Sequence, residues 1–196
     1  INKMDRENAN FEKVFSSLRE KFGHRVIPAQ IPVGQAEDFS GIVDIIDGKA
    51  YQDNKEIDIP QDLTGKVQEY YQMLTEIVAE SDDELLTKYL EGIELTREEL
   101  LAGFKKGVVN NEIIPVFCGS AAKNLGIDKF LDQVVESMPS PVDTGKILAK
   151  DLQTQEEKEL LANDEGPVAA LVFKTMADPF VGKLTLFRVY SGVIKS

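Results

Sequence analysis

Apolar residues at positions 11, 14, 15, 18 and 22 recur at helical spacing, with Asn10 placed to cap the segment and Gly23 placed to end it. Phe11, Val14, Phe15, Leu18 and Phe22 are therefore the expected inner face of a first helix, and their aromatic rings are core. The pattern then shortens. Val26 to Val33 and Phe39 to Ile46 are apolar runs of strand length, and Asp47-Gly48 before Lys49-Ala50-Tyr51 has the turn chemistry of a hairpin, so a small sheet is expected. Helical periodicity returns at Leu63, Val67, Tyr70, Leu74 and Ile77, with Glu69, Glu76 and Glu80 on other faces. Ser81-Asp82-Asp83-Glu84 and Thr96-Arg97-Glu98-Glu99 both show capping-box spacing, so two further helices start there, and Gly107 is the expected end of the second.

Glu112 to Phe117 reads as a buried strand, with Cys118-Gly119-Ser120 as the loop at its carboxyl end. Gly126-Ile127-Asp128 leads into a helix with Ile127, Phe130, Leu131, Val134 and Val135 turned inward, stopped by Pro139-Ser140-Pro141. The polar stretch from Asp143 to Glu165 reads as a linker. Pro167 to Thr175 and Lys183 to Tyr190 read as two strands rich in Val, Leu and Phe, joined by the segment 177–182.

Candidate chemistry sits at two distant places. Asn2-Lys3-Met4-Asp5 and Cys118-Gly119-Ser120-Ala121 have the residue types that read guanine. The base presents N1–H and an exocyclic amine side by side, and an ionised Asp5 would accept both in a bidentate, charge-assisted pair. Adenine turns a lone pair towards the same carboxylate and leaves it unpaired, a stronger basis for rejection than shape. Asn2 suits N7, a known acceptor of guanine, and also suits bracing the loop. Lys3 can lay its aliphatic stem along a base face, and backbone N–H groups around Ser120 and Ala121 can donate to O6. By itself the first tetrapeptide also fits a helix N-cap; the second motif, at a strand's carboxyl end where open α/β sheets bind ligands, favours the nucleotide reading. The segment 27–112 between the motifs is far longer than a single crossover needs and is expected to be an inserted subdomain.

From Asn2 onward, the run at 79–85 (Ala-Glu-Ser-Asp-Asp-Glu-Leu), Lys88-Tyr89-Leu90-Glu91-Gly92, Leu95-Thr96, Pro115 to Ala121 and Pro139-Ser140-Pro141 together resemble bacterial elongation factor G across essentially the whole chain, in order. Glu7-Asn8-Ala9-Asn10 departs from the Gly-Ala-Asp stretch more usual in that family, as a paralogue would. The resemblance implies an α/β fold: the C-terminal half of a P-loop GTPase-type domain with an inserted α+β subdomain, followed by the start of a translation-factor β-barrel. It divides the chain into the C-terminal part of a GTP-binding domain (1–26 and 113–142), the insert (27–112), a linker (143–165) and the beginning of the barrel (166–196). Two strands cannot close a barrel and leave edges that call for pairing.

The same resemblance implies a ribosomal translocation GTPase, with GTP or GDP as ligand and Asn2, Lys3, Asp5, Ser120 and Ala121 as binding residues. No Gly-x-x-x-x-Gly-Lys-Ser/Thr loop or switch-like segment occurs in the chain, so it is expected to be an internal piece of the parent, with no catalytic residue and no Mg2+ ligand of its own and little activity alone. The alternatives are a non-hydrolysing ribosome-interaction module and another translational GTPase such as a release factor.

Charge and composition refine the expected partners. Nine acidic residues against Lys88 and Arg97 lie between Glu76 and Glu99, more than half of the chain's net −12. Such a run is ordinarily a solvated helical surface; the resemblance offers the sharper reading of a docking face for the basic C-terminal domain of the ribosomal stalk protein. Lys/Arg clusters of the kind that neutralise phosphates are missing, so direct nucleic-acid binding is not expected from this portion. Neither a membrane-spanning apolar run nor a signal peptide is visible, and a cytoplasmic location is expected. A single cysteine excludes an internal disulfide framework, and Cys118 lacks a nucleophile signature. His24, the only histidine, reads as an exposed loop residue, which leaves little for metal or triad chemistry.

Overall fold

The computed structural model describes residues 1–53, 55–143, 145–151 and 153–195. The chain forms two compact units, Ile1–Met138 and Pro139–Ser196.

In the first unit, α1 (Phe11–Phe22) starts where Asn10 accepts the N–H of Lys13 at 2.8 Å and stops at Gly23, φ 82°. Only part of the expected stripe is inside. Phe11 and Phe15 are buried and stacked, and Phe15 meets Tyr70 edge-on. Val14 and Phe22 stay exposed, because Arg19 closes that side instead, its guanidinium over Phe15 and one amino group donating to Met73 Sδ.

The run from Val26 to Val33 is two strands rather than one. Val26–Pro28 (β1) and Gln30–Val33 (β2) belong to different sheets, and the joint is Ala29. Its N–H donates to Val116 O and its carbonyl accepts from Ile45 N, both at 2.9 Å, so the buried backbone is satisfied from both sides while the chain changes partner. β2 pairs antiparallel with β3 (Gly41–Asp44), which pairs with β4 (Lys49–Gln52), which pairs with β5 (Lys55–Ile57). Gly41 is obligatory there: a Cβ would stand 1.9 Å from the Tyr51 carbonyl oxygen across the pair.

Three helices pack together after this sheet: α2 (Thr64–Glu80), α3 (Asp83–Leu90) and α4 (Arg97–Val109). Val67, Tyr70, Leu74 and Ile77 are buried on α2 as the spacing predicts. Asp82, not Ser81, caps α3, accepting the N–H groups of Glu84 and Leu85; the Ser81 hydroxyl turns back to Val78 O of α2. The capping box of Thr96 and Glu99 forms as written. Gly107 does not end α4, which continues to Val109. It is a packing position, since a Cβ there would lie 2.5 Å from Ile113 Cδ1.

Parallel to β1 runs β6 (Ile114–Val116), with Val26 opposite Ile114. The last helix of the unit, α5 (Ile127–Ser137), meets the expectation for its faces only in part: Ile127 and Val134 are half-buried and Phe130 packs edge-on against Phe117. Gln133 and Ser137 are buried, whereas Phe130, Leu131 and Val135 are exposed, at 36%, 53% and 83%. The face that meets the sheet is polar because it docks on a buried carboxylate, Asp44, at 3.1 Å.

In the second unit, the stretch expected to be a linker contains a hairpin: β7 (Ile147–Lys150) pairs antiparallel with β8 (Glu157–Leu160). The turn forms because Asp151 accepts the N–H groups of Gln153 and Thr154 and pairs with Lys158 at 2.7 Å. β9 (Ala169–Asp178) and β10 (Gly182–Ser191) make a long antiparallel ribbon with register shifts between Leu186 and Phe187 and between Val189 and Ser191. At its tip Asp178 accepts from Phe180 N and Val181 N. No helix among the described residues is long and apolar enough to cross a membrane.

Candidate functional site

The N-terminal segment joins β6 by parallel hydrogen bonding: Ile1 N donates to Phe117 O at 2.6 Å, and Gly119 N donates to Ile1 O at 3.1 Å. Met4 N then reaches Gly119 O at 3.2 Å. These bonds lay the two sequence motifs side by side although more than a hundred residues separate them. Lys3 turns the corner with φ 65°, a left-handed conformation that a side-chain-bearing residue seldom adopts. Asn2 Oδ1 holds that corner by accepting the N–H of Lys3 at 2.7 Å. Met4, between the polar members, is buried as the anchor of the loop.

Two side-chain bonds join the halves. Asn2 Oδ1 also accepts the N–H of Ala121 at 3.0 Å, and the Ser120 hydroxyl donates to Asp5 Oδ1 at 2.6 Å. Ser120 is fully buried and its oxygen accepts the N–H of Lys123 at 3.2 Å, so the hydroxyl cannot swing away freely. The Ser120 hydrogen bond is the main reason that the Asp5 carboxyl lies below its ordinary value, against a smaller desolvation effect, with Arg6 and Lys123 adding Coulombic help. A carboxylate so held is charged at neutral pH and retains lone pairs for two further donors.

The five residues expected to bind the nucleotide are thus brought to one loop pair, with one refinement. Of the two amides offered to O6, that of Ser120 is committed to Leu125 O at 3.0 Å in a small antiparallel bridge. The Ala121 N–H points at Asn2 and is the one a ligand could share. The bridge is closed by Asn124, φ 55°, and Gly126, φ 74°, which leads directly into α5. Lys3 is exposed, its stem free to cover a ring. The left-handed turn at Lys3 has no composition signal; only the bond back to Gly119 reveals it.

Next to this loop is an apolar cleft of about 340 Å³ lined by Ile1, Asn2, Phe117, Ala121, Phe130 and Leu131, among others. Cys118 lies beneath it, buried, and burial pushes its thiol far above the ordinary range, so it is inert as a nucleophile. His24 is exposed. Among the described residues no group of three or more His, Cys, Asp or Glu side chains is placed to hold a metal ion.

Residues 1–140 match the family described as "Elongation factor Tu GTP binding domain". A crystal structure of a protein from Thermus thermophilus is similar over 97% of this chain, with 29% sequence identity and a TM-score of 0.72. The chain spans about a quarter of that protein's length, 26%. With more than half of its residues matched, the chain belongs to the elongation factor Tu GTP-binding domain family.

Proposed function

We propose that this chain is the base-reading part of a ribosomal translocation GTPase of the elongation factor G kind. The observation that carries the reading is the Ser120–Asp5 bond, which holds an ionised carboxylate at the mouth of the loop pair. Asp5 accepts N1–H and the exocyclic amine of guanine, the shared Ala121 N–H donates to O6, Asn2 keeps the two loops in register beside N7, and the Lys3 stem covers one ring face. None of these groups touches a phosphate. Hydrolysis in the parent belongs to other residues, and this chain contributes the selection of guanine over adenine.

In this reading the helical segment 64–109 belongs to an insert within the GTP-binding domain, and its acidic surface between Glu76 and Glu99 meets a basic protein of the ribosomal stalk. Like charge in such a cluster accelerates encounter by steering. The β9–β10 ribbon is the opening of a β-barrel, and the face shared by the paired Val172 and Phe187, both exposed, is interior to that barrel.

Because the base site lies wholly within the chain, nucleosides without phosphates test it. Amide NMR spectra of the chain titrated with millimolar guanosine should show shifts at Asn2, Lys3, Asp5 and Ala121. Inosine, which lacks the exocyclic amine, should produce weaker shifts and adenosine none. An equal response to adenosine, or shifts elsewhere only, would remove the motif pair from base recognition.

A further inference from the structure

Helix α5 meets its neighbours along one seam. Gly126, Lys129, Gln133 and Glu136 follow one another at intervals of three, four and three residues, the spacing of a single helical face. Gly126, the N-cap, lies so close to β3 that a Cβ there would stand 2.9 Å from Ile42 Cγ2. Lys129 Nζ sits 4.6 Å from the centre of the Tyr51 ring on β4, and Tyr51 is paired with Ile42 across the strands. Gln133 Nε2 donates to Asp44 Oδ2, at the end of β3, at 3.1 Å. Glu136 lies 3.6 Å from Arg97 of α4, whose guanidinium also pairs with Asp47 at 2.7 Å. The first three of these contacts are made to the β2–β5 sheet.

Of the polar contacts, that of Gln133 is the one water does not reach. Gln133 and Asp44 are 3% and 2% exposed. The Asp44 carboxylate also accepts the backbone N–H groups of Ile46 and Asp47 at 3.0 and 3.1 Å. The Ser137 hydroxyl donates to the Gln133 backbone oxygen at 2.5 Å and lies 3.2 Å from its Oε1, so both side chains are held in one orientation. An N–H donated to a carboxylate is charge-assisted and stronger than a neutral pair. Removing that donor leaves a buried acceptor short of a partner, whereas the more exposed ion pair of Arg97 with Glu136 contributes little.

The seam bears on the base loop because no spacer separates them. The loop leaves β6 after Val116, and α5 begins at Ile127. Within it Ser120 and Leu125 exchange backbone hydrogen bonds at 3.0 and 3.1 Å, and a Cβ on Gly126 would also lie 3.1 Å from Cys118 O, so residues 118–126 form one closed unit. A shift of α5 away from the sheet carries that unit with it. The Ser120 hydroxyl then moves against Asp5, and the Ala121 N–H against Asn2. Asn2 and Asp5 belong to the other loop, which continues into α1.

We propose that Gln133 is a positioning residue for guanine recognition: by its bond to Asp44 it seats α5 on the β2–β5 sheet and so sets the spacing of the two base-reading loops. Gln133 has this role only if Asp5 and Ala121 read the base, as proposed above. It touches neither base nor loop. Its loss displaces the Ala121 N–H that meets O6, while the carboxylate that meets the exocyclic amine stays on the other loop. Nucleotides of guanine and of hypoxanthine, which share O6 and differ in that amine, are therefore affected together.

Equilibrium binding of labelled GDP and inosine diphosphate to the intact parent protein tests this. Gln133→Met, of similar size but without the donor, should weaken both by about tenfold at an unchanged ratio, within the range by which residues remote from a ligand alter its affinity. Asp44→Asn keeps a bond in the seam, its amide donating to Gln133 Oε1, and should lose no more than about threefold. General loss of structure would not spare Asp44→Asn. By reciprocity, GDP bound to the wild-type protein should slow amide exchange at Ile46 and Asp47, whose N–H groups meet Asp44, by up to about the same tenfold, referenced to β9–β10. Unchanged GDP affinity in Gln133→Met, with the loss expected of Asp5→Asn observed, would overturn the positioning role alone; unchanged affinity in both variants would overturn base reading with it. If Gln133→Met fails to fold, exchange at Ile46 and Asp47 that ignores GDP overturns the role in the wild type.

Discussion

Two glycine-to-alanine changes in neighbouring helices should move stability in opposite directions. Gly103 lies within α4, where a Cβ would stand 2.6 Å from Val78 Cγ1 and 2.8 Å from Leu85 Cδ1. Gly65 lies in the first turn of α2 with nothing within 4 Å of its Cβ position. Helix propensity alone favours alanine by about 0.8–1.0 kcal/mol at an interior site. At Gly65 that gain should survive in part, about 0.5 kcal/mol. At Gly103 it competes with overpacking, which costs about 1–3 kcal/mol. The Leu85 methyl can rotate aside, but Val78 is fully buried and stiff at χ1. The overpacking cost should win there, leaving a net loss of about 1 kcal/mol. With a urea slope of about 2 kcal/mol/M, the unfolding midpoint of Gly103→Ala should fall by about 0.5 M and that of Gly65→Ala should rise by about 0.25 M, at unchanged slope. If Gly103→Ala raises the midpoint as Gly65→Ala does, the close packing of α4 against Val78 and Leu85 is refuted.

Phe104, fully buried beside Gly103, should cost about 3–5 kcal/mol when cut to alanine, read as a lower urea midpoint. Thr96→Ala removes the reciprocal cap of α4 and should cost about 1 kcal/mol, with increased amide exchange confined to the first turn of that helix. Ser120→Ala should move the Asp5 carboxyl up towards its ordinary value in an NMR titration, because the Ser120 hydroxyl is the first cause of its lowering. A lowered carboxyl contributes stability that is present above the unfolded value and lost as pH falls through the folded one; the variant should therefore lose less on acidification over that window, and an unmoved Asp5 midpoint would contradict the assignment.

Much of the order of elements was legible because its signals are local. Asn10, Thr96 with Glu99, and the stripe from Val67 to Ile77 each act within a turn or two of helix. The errors arise where a non-local partner decides. Nothing in Val26 to Val33 announces that Ala29 must serve β6 on one side and the turn after β3 on the other, so one apolar run divides between two sheets. Helix α5 has an apolar stripe, yet the face buried is the one with Gln133, since Asp44 lies opposite. Gly107 reads as a stop signal from propensity, whereas its cause is Ile113 pressing on the helix. The two motifs were readable as a pair, and the structure joins them in one loop pair. That the Ser120 amide is engaged by Leu125 was not, because the Ser120–Leu125 bridge and the left-handed Lys3 follow from chain closure rather than from residue type.

A switch of nucleotide specificity in the intact parent protein tests the central claim most directly. With Asp5 replaced by asparagine, the carboxylate proposed to meet two guanine donors becomes an amide that can donate to the additional carbonyl of xanthine. Equilibrium binding of labelled GDP and xanthosine diphosphate to wild type and Asp5→Asn should show GDP weakened by on the order of a hundredfold or more and xanthosine diphosphate strengthened, as expected when a charged pair in the site is broken. Unchanged GDP affinity with no gain for xanthosine diphosphate would mean that Asp5 does not read the base.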